Sequence, residues 1–219
     1  MFGSLPRRVM SLRLAPAILC AIAPVVLFAQ GASPGVSRYL LDSTSVEARY
    51  RVTERFAANT IDNEVVGATH DVAGQVMLDV SGRPVASGSH LTIRLTGLKT
   101  DRARRDSYVQ KNTLETARWP TAELAVKELH GLPSPMPNAG TFDVQVVGDL
   151  TLHGVTRPVS WNTKLAVSAG VVRGTARTTV RFADFGMEVP RVPLIARVDD
   201  PITLELDFAF LRSVDPNER

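Results

Sequence analysis

The strongest constraint on the fold is a long stretch of alternating apolar and polar residues from Phe142 to Val167, with a turn at His153-Gly154. Two such runs separated by a two-residue turn predict an antiparallel hairpin in which each strand buries one face. Each arm spans roughly ten residues, against about five or six in an ordinary strand. Gly148 interrupts the first arm, and we expect a β-bulge there. Arms of this length favour a barrel over a small sandwich.

The same alternation recurs along the chain and predicts about eight strands, joined mostly by short turns. Residues 100–113 break this rhythm, because they are rich in charge and lack alternation. We expect a short helix from Asp101 to about Gln110, capped by Thr100 or Asp101. The regularly interleaved helices of a parallel sheet are missing from the pattern. The sequence therefore predicts an all-β fold, an eight-stranded antiparallel barrel with one short inserted helix, with a sandwich as the alternative.

The N-terminal segment has the composition of a secretory signal. Arg7, Arg8 and Arg13 precede an uncharged stretch from Leu14 to Ala29, which is short for a membrane-spanning helix of about 20 residues. We expect residues 1–31 to be a signal peptide that is cleaved, with an uncleaved N-terminal anchor as the alternative. The protein is then periplasmic or secreted, with no stable membrane span after removal of the leader.

Charge and cysteine content change once this leader is set aside. The 219 residues include 25 Lys and Arg against 22 Asp and Glu, and three of the arginines lie in the leader. The remainder is formally neutral, so nothing in its net charge supports a nucleic-acid partner. The only cysteine, Cys20, also lies in the leader, so the mature chain cannot depend on disulfides.

The sequence carries little that resembles catalytic chemistry. Its four histidines lie in four different segments, without the spacing of a metal site, and the phosphate-loop and hydrolase motifs are missing. We therefore predict neither an enzyme nor a metal or cofactor. The one catalytic alternative pairs His153 with Asp149 or Asp184. Arg105 and Asp106 are expected to support the rim of the barrel, since a guanidinium binds carboxylates and carbonyls in a planar fork.

The apolar faces of the predicted strands carry no charged residue, so the interior is either filled by its own side chains or open to an apolar ligand. The pattern alone leaves both possibilities open. A filled barrel predicts an interaction module for another envelope protein, with an exposed apolar patch at residues 189–195.

Four motifs of this chain resemble the YceI-like family, a lipocalin-like group of polyisoprenoid-binding and lipid-binding proteins. They are GDLTLHGVTRPV at 148–159, Arg105-Asp106, WPTA at 119–122 and ADFG at 183–186. The resemblance runs from about Tyr39 to Phe210. Two positions depart from the family pattern, since residues 42–45 lack a histidine and Leu124 stands where an aromatic is expected.

The resemblance implies an exported barrel over residues 38–212 that holds a polyisoprenoid or another long-chain amphiphilic lipid in an apolar interior, as a monomer or homodimer. It favours a hollow barrel over a filled one. The residues expected to contact the ligand are Leu91, Ile93, Leu95, Leu114, Trp119, Val159, Trp161, Phe182, Phe185 and Met187.

Overall fold

A computed structural model of the chain describes residues 35–58, 61–193 and 195–213. The predicted signal peptide, residues 1–31, lies outside these ranges. The strands are β1 (Ser37–Leu41), β2 (Glu47–Phe56), β3 (Asp62–Thr69), β4 (Val72–Leu78), β5 (His90–Arg94), β6 (Thr121–His130), β7 (Ala139–Leu152), β8 (Val155–Ser168), β9 (Val171–Val180), β10 (Ile195–Val198) and β11 (Ile202–Ser213). One α-helix, α1 (Ala103–Tyr108), continues into a π-helical turn (Val109–Thr113), and 3-10 turns lie at Ala86–Gly88, Leu95–Gly97 and Phe182–Phe185.

Eight of these strands form a closed antiparallel ring. Their order is β1-β4-β5-β6-β7-β8-β9-β11, and the ring closes because β1 also pairs with β11. Closure gives backbone partners to both sides of each strand, which removes the exposed edges of an open sheet. The predicted eight-stranded antiparallel barrel with one short α-helix is confirmed.

Three strands, β2, β3 and β10, lie outside the ring. The alternation predicted β2, but it did not identify β1 or β10 and it did not separate β3 from β4. β2 follows β1 after a turn at residues 42–46, and it pairs with the middle of β11 from Thr203↔Arg51 to Asp207↔Glu47. β3 pairs with β2 along its whole length, and β10 pairs with the last residues of β2. These strands extend the wall at the end of the barrel that carries α1.

The β7–β8 hairpin is confirmed and is longer than predicted, with 14 residues in each arm. His153 and Gly154 have φ values of 52° and 73°, as a two-residue type I′ turn requires. The predicted bulge at Gly148 is wrong, because β7 and β8 pair without interruption. The irregularity lies in the opposite neighbour, β6, between Val126 and Glu128. Gly148 is required instead by a close approach, since a Cβ there would lie 2.4 Å from the carbonyl oxygen of Ala125.

The helix begins two residues later than predicted and ends earlier, at Tyr108, before the π-helical turn. The predicted cap at Thr100 or Asp101 is wrong, because Arg102 is the N-cap residue and its side chain makes no capping hydrogen bond. The Thr100 hydroxyl accepts a hydrogen bond from the Arg102 amide at 3.2 Å, just before the helix. Asp106 accepts hydrogen bonds from the amide and hydroxyl of Thr100 at 2.8 and 2.7 Å. Asp106 therefore ties the helix back to the segment that precedes it.

Apolar side chains fill the barrel at the end away from α1. We call this region the filled half and define it by six buried residues that pack into the common core, each at most 8% exposed. They are Tyr39, Val126, Val144, Leu165, Val172 and Phe210. Tyr39 also lines a smaller cavity together with residues 135–138.

Candidate ligand-binding cavity

The other half of the barrel encloses a cavity of about 680 Å³. We call it the hollow half and define it by six lining residues: Leu91, Leu124, Leu150, Trp161, Leu204 and Leu206. These residues come from five strands of the ring, and each is contributed by the inward face of its strand. A cavity of roughly 300–1,000 Å³ with mainly apolar walls is typical of a small-molecule site.

The mouth of the cavity is formed by segments outside the ring. The end of β2, helix α1 with its π-helical turn, and residues 190–193 all border it. Two contacts hold the helix over the opening: the Arg102 guanidinium lies 5.5 Å from the centre of the Phe56 ring, and the Tyr108 hydroxyl donates to the Arg191 carbonyl at 3.4 Å. The helix thus covers part of the entrance.

An ion pair lies at this entrance. Arg105 Nη2 is 2.7 Å from Glu54 Oε1, and the two side chains are only 15% and 8% exposed. Arg105 also contacts Asp101 through its other terminal nitrogen. Arg105 therefore joins the helix to β2, in agreement with the expected support of the rim.

Glu54 contradicts the expectation that the inner faces carry no charge. The alternation Val46, Ala48, Tyr50 and Val52 continues by two residues to place Glu54 on the same inward face. Extending the period-two pattern to the end of the strand would have found it. The reason that this carboxylate is tolerated is its partner Arg105, which belongs to a segment 51 residues away.

Burial and neighbouring charges perturb two groups at this end of the cavity. Burial raises the pKa of Tyr50 to about 12, so its hydroxyl stays protonated at neutral pH. Burial acts to lower the pKa of Arg105, but Glu54 and Asp101 outweigh it and raise the pKa overall. Tyr50 therefore offers a neutral hydroxyl, and Arg105 remains a cation.

Seven of the ten residues predicted to contact a ligand line the cavity. They are Leu91, Ile93, Leu95, Leu114, Trp161, Phe182 and Met187. They come from β5, the turns around α1, β8 and the segment after β9, so the barrel brings together residues that are up to 96 positions apart.

Trp119, Val159 and Phe185 are not among the lining residues. Trp119 packs against the tip of the β7–β8 hairpin, with its ring 6.3 Å from that of His153 and over Gly154, where a Cβ would meet the indole at 2.4 Å. Phe185 is fully buried in the 3-10 turn, and its carbonyl oxygen lies 3.3 Å from His153 Nδ1. Val159 pairs with Gly148 and is half-buried against the core. All three side chains therefore pack outside the cavity.

The outer wall of the hollow half carries a network of ion pairs that sequence reasoning did not identify. The Glu205 carboxylate, with only 1% of its side chain exposed, lies 3.2 Å from Arg49 Nε and 2.9 Å from Arg51 Nε. Arg177 Nη2 lies 2.6 Å from its second oxygen, and Arg49 also reaches Asp207 at 2.5 Å. Burial acts to raise the pKa of Glu205, but the hydrogen bonds from Arg51 and Arg49 lower it overall. The network ties β2 and β9 to β11.

The catalytic alternative does not gain support from the geometry. The His153 ring nitrogens approach Glu115 Oε1 at 3.5 Å and the Phe185 carbonyl at 3.3 Å. Asp149 instead lies 2.5 Å from Lys127 Nζ, and Asp184 accepts a hydrogen bond from the Arg181 amide at 3.0 Å. Neither aspartate is a partner of His153. Within the described ranges, no cluster of three His, Cys, Asp or Glu side chains could hold a metal ion.

The segment expected to be an exposed patch in a filled barrel borders the cavity instead. Pro190, Val192, Pro193 and Ile195 all line it, and Val189 packs against the core. Across the part of the chain that the structure describes, no helix has the length and apolarity needed to cross a membrane.

Comparison with known proteins places the chain in a family. The pattern of the YceI-like domain matches residues 39–210, which is most of the sequence. The chain belongs to the YceI-like family. Similar sequences include a UPF0312 protein of Pseudomonas syringae pv. tomato, 29% identical over 146 residues, and the protein YceI of Escherichia coli, 28% identical over 146 residues. These alignments cover 64% of this YceI-like chain and 71% and 72% of the two relatives.

Solved structures show the same fold at lower sequence identity. A polyisoprenoid-binding domain from Saccharophagus degradans, implicated in plant cell wall breakdown, superposes with a TM-score of 0.59 at 15% identity. That match covers 80% of this chain and 98% of the domain. BcnA of Burkholderia cenocepacia superposes with a TM-score of 0.55 at 15% identity, over 77% of this chain and 98% of BcnA. The YceI-like barrel is therefore shared across distant sequences.

Proposed function

We propose that this YceI-like protein is an exported, non-enzymatic binding protein that holds a polyisoprenoid or similar amphiphilic lipid in the hollow half of its barrel. The observation that carries the proposal is the apolar cavity of about 680 Å³ that borders a cluster of buried apolar side chains. The polyisoprenoid-binding domain with the same fold supports the choice of ligand class.

The walls of the cavity determine how such a ligand would be recognised. Each methylene removed from water contributes roughly 0.8 kcal/mol, which is about a fourfold gain in affinity. Association itself costs several kcal/mol, so short chains bind weakly. Affinity should therefore rise with chain length until the cavity is full, and then level off. Apolar walls discriminate weakly between chains of similar length, so we expect several related lipids to bind.

The direct test is mass spectrometry of lipids extracted from the purified protein, expressed as the full chain. We expect an isoprenoid or another long-chain lipid to be recovered in amounts that approach the amount of protein. Ala122→Phe places a ring in the cavity and should reduce the recovered lipid severalfold. Ala166→Phe is the matched control, because Ala166 is exposed on the outer face of β8. Empty protein that also fails to take up added isoprenoids would refute the proposal.

Export is a separate part of the proposal. It is supported by the arginines followed by an apolar stretch in residues 1–31. N-terminal sequencing of protein from the periplasmic fraction or the medium should give a chain that begins just after Ala29 or Gly31. Recovery of the intact N-terminus from the membrane fraction would favour the anchor instead.

A further inference from the structure

The mouth of the cavity carries more positive charge than its own carboxylates neutralise. Four basic residues of the helical segment border it: Arg102, Arg104, Arg105 and Lys111. The only carboxylates among the described lining residues are Glu54 and Glu205. The charge balance at the entrance therefore depends on which of these cations already have partners.

The partners of the paired cations are fixed by the fold. Glu54 is bound by Arg105, and Asp101 contacts both Arg105 and Arg102. Glu205 lies on the far side of the wall, where it is bound by three arginines. Glu54 and Asp101 are therefore occupied by arginines, and Asp106 accepts hydrogen bonds from Thr100.

Arg104 and Lys111 are left without a counter-ion. Within the described ranges neither side chain makes an ion pair or a hydrogen bond, and both are exposed. Arg104 lies in α1 and Lys111 in the π-helical turn that follows it, and both border the same opening. Two solvated cations beside an apolar cavity complement the two parts of an anionic amphiphile. The cations lie where its charged head would bind, and the cavity can hold its apolar tail.

We infer that this mouth selects amphiphiles whose headgroup is an anion with terminal oxygens, such as a phosphate monoester, over neutral alcohols or quinones with the same chain. The inference rests on the proposed lipid-binding function and adds the chemistry of the headgroup. Arg104 and Lys111 contact the headgroup, and the guanidinium of Arg104 can bind two of its oxygens at once. The Arg105–Glu54 pair stays intact and holds the helix in place.

The test compares two ligands with one chain, geranylgeranyl phosphate and geranylgeraniol, on the purified full chain by calorimetry or fluorescence titration. Wild-type protein should bind the phosphate at least tenfold more tightly, because a charge-assisted hydrogen bond contributes about 1.5–3 kcal/mol and 1.4 kcal/mol is tenfold. This advantage should shrink as NaCl is raised, since exposed charges are screened. Binding of the alcohol should change little with salt.

The variant Arg104→Gln/Lys111→Gln should lose about tenfold in affinity for geranylgeranyl phosphate and less than twofold for geranylgeraniol. The control Arg83→Gln/Lys164→Gln removes the same two charges from exposed positions that do not line the cavity, and should behave as the wild type. Exposed substitutions of this kind change stability little, so folding is not expected to obscure the result.

Three outcomes would overturn the inference. The first is equal wild-type affinity for phosphate and alcohol, and the second is an equal loss for both ligands in the variant. The third is displacement of the lipid by inorganic phosphate at concentrations similar to those of the lipid, which would assign the cations to free phosphate. Binding of geranylgeraniol distinguishes a failure of this inference from a failure of the proposed function. The proposed function fails only if neither geranylgeraniol nor geranylgeranyl phosphate binds.

Discussion

The hollow and filled halves of this barrel are built from the same strands, and they differ in what holds their walls in position. Strand β6 passes through both: Ala122 and Leu124 line the cavity, while Val126 is buried in the filled half. In the filled half, side chains from opposite walls pack against each other. In the hollow half, the walls face empty space, and polar contacts on the outer surface and at the mouth take over this role.

Those polar contacts lie where the interior gives least support. The Glu205 network joins β2 and β9 to β11 on the outer surface, and the Arg105–Glu54 pair fastens the helix to β2 at the mouth. The backbone pairing of β2 with both β3 and β11 adds a continuous ladder. The comparison teaches that a cavity can be kept open by polar contacts on the outer surface and at the mouth, which hold its wall in place. Such a wall lacks the stabilisation that packed side chains give in the filled half.

The largest difference between the halves should appear on shortening a buried leucine. Leu165→Ala in the filled half should lower the free energy of unfolding by about 4 kcal/mol, because it opens a new void in a packed region. Leu150→Ala in the hollow half should cost only about 2 kcal/mol, since Leu150 already borders a space. Urea denaturation of both variants gives the comparison, and equal losses would contradict it.

The ion pair at the mouth should have the next largest effect. Arg105→Gln leaves Glu54 nearly buried without its cation, and we expect a loss of about 3 kcal/mol in unfolding free energy. The double variant Glu54→Gln/Arg105→Gln should recover most of this loss, because no unpaired charge remains. Arg104→Gln is the control and should change stability by less than about 0.5 kcal/mol. A double variant as unstable as the single one would show that the pair is not what anchors the helix.

Enlarging a side chain should again destabilise the filled half more than the hollow half. Val126→Phe overfills the filled half and should cost about 2 kcal/mol. Ala122→Phe, four residues earlier on the same face, has room in the cavity and should leave stability unchanged or raise it while it blocks lipid uptake. Thermal unfolding and lipid extraction on the two variants measure both effects. A loss of stability at Ala122 as large as that at Val126 would mean that the hollow half is closed in solution.

The smallest effect is the pH dependence that the outer network contributes. Because the pKa of Glu205 is lowered in the folded state, its contribution to stability is complete above its unfolded pKa of about 4.3 and is lost as pH falls through the lower folded value. Glu205→Gln should therefore be less stable at neutral pH and show a flatter loss of stability on acidification. Glu188→Gln, at an exposed carboxylate with no ion pair among the described residues, should keep the wild-type slope. An unchanged slope in Glu205→Gln would remove the network from the account.

Period-two alternation was sufficient to predict the barrel, because each strand of a closed sheet has one buried face. It did not distinguish Leu91, which lines the cavity, from Val72, which is buried in the core, since both are apolar residues on inward faces. Whether an inward residue meets a partner or a void depends on neighbours that are distant in sequence.

The same limit explains the individual corrections. Trp119 was expected in the cavity, but the missing side chain of Gly154 gives it a place on the hairpin tip. Glu54 was missed because the predicted strand ended before it, and its partner Arg105, which makes the buried charge tolerable, lies in a different segment. The position of the bulge was wrong because Gly148 marks a close approach of β6, which a single strand's pattern does not encode.

The most direct test of the account is a crystal structure of the full chain after incubation with geranylgeranyl phosphate. We expect continuous density for the chain between Leu124, Trp161 and Leu204, ending before Leu165 and Phe210, with the phosphate at the mouth beside the helix. A lumen occupied by rearranged side chains, or a lipid bound only on the outer surface, would contradict the central claim that one half of this barrel is kept open for an apolar guest.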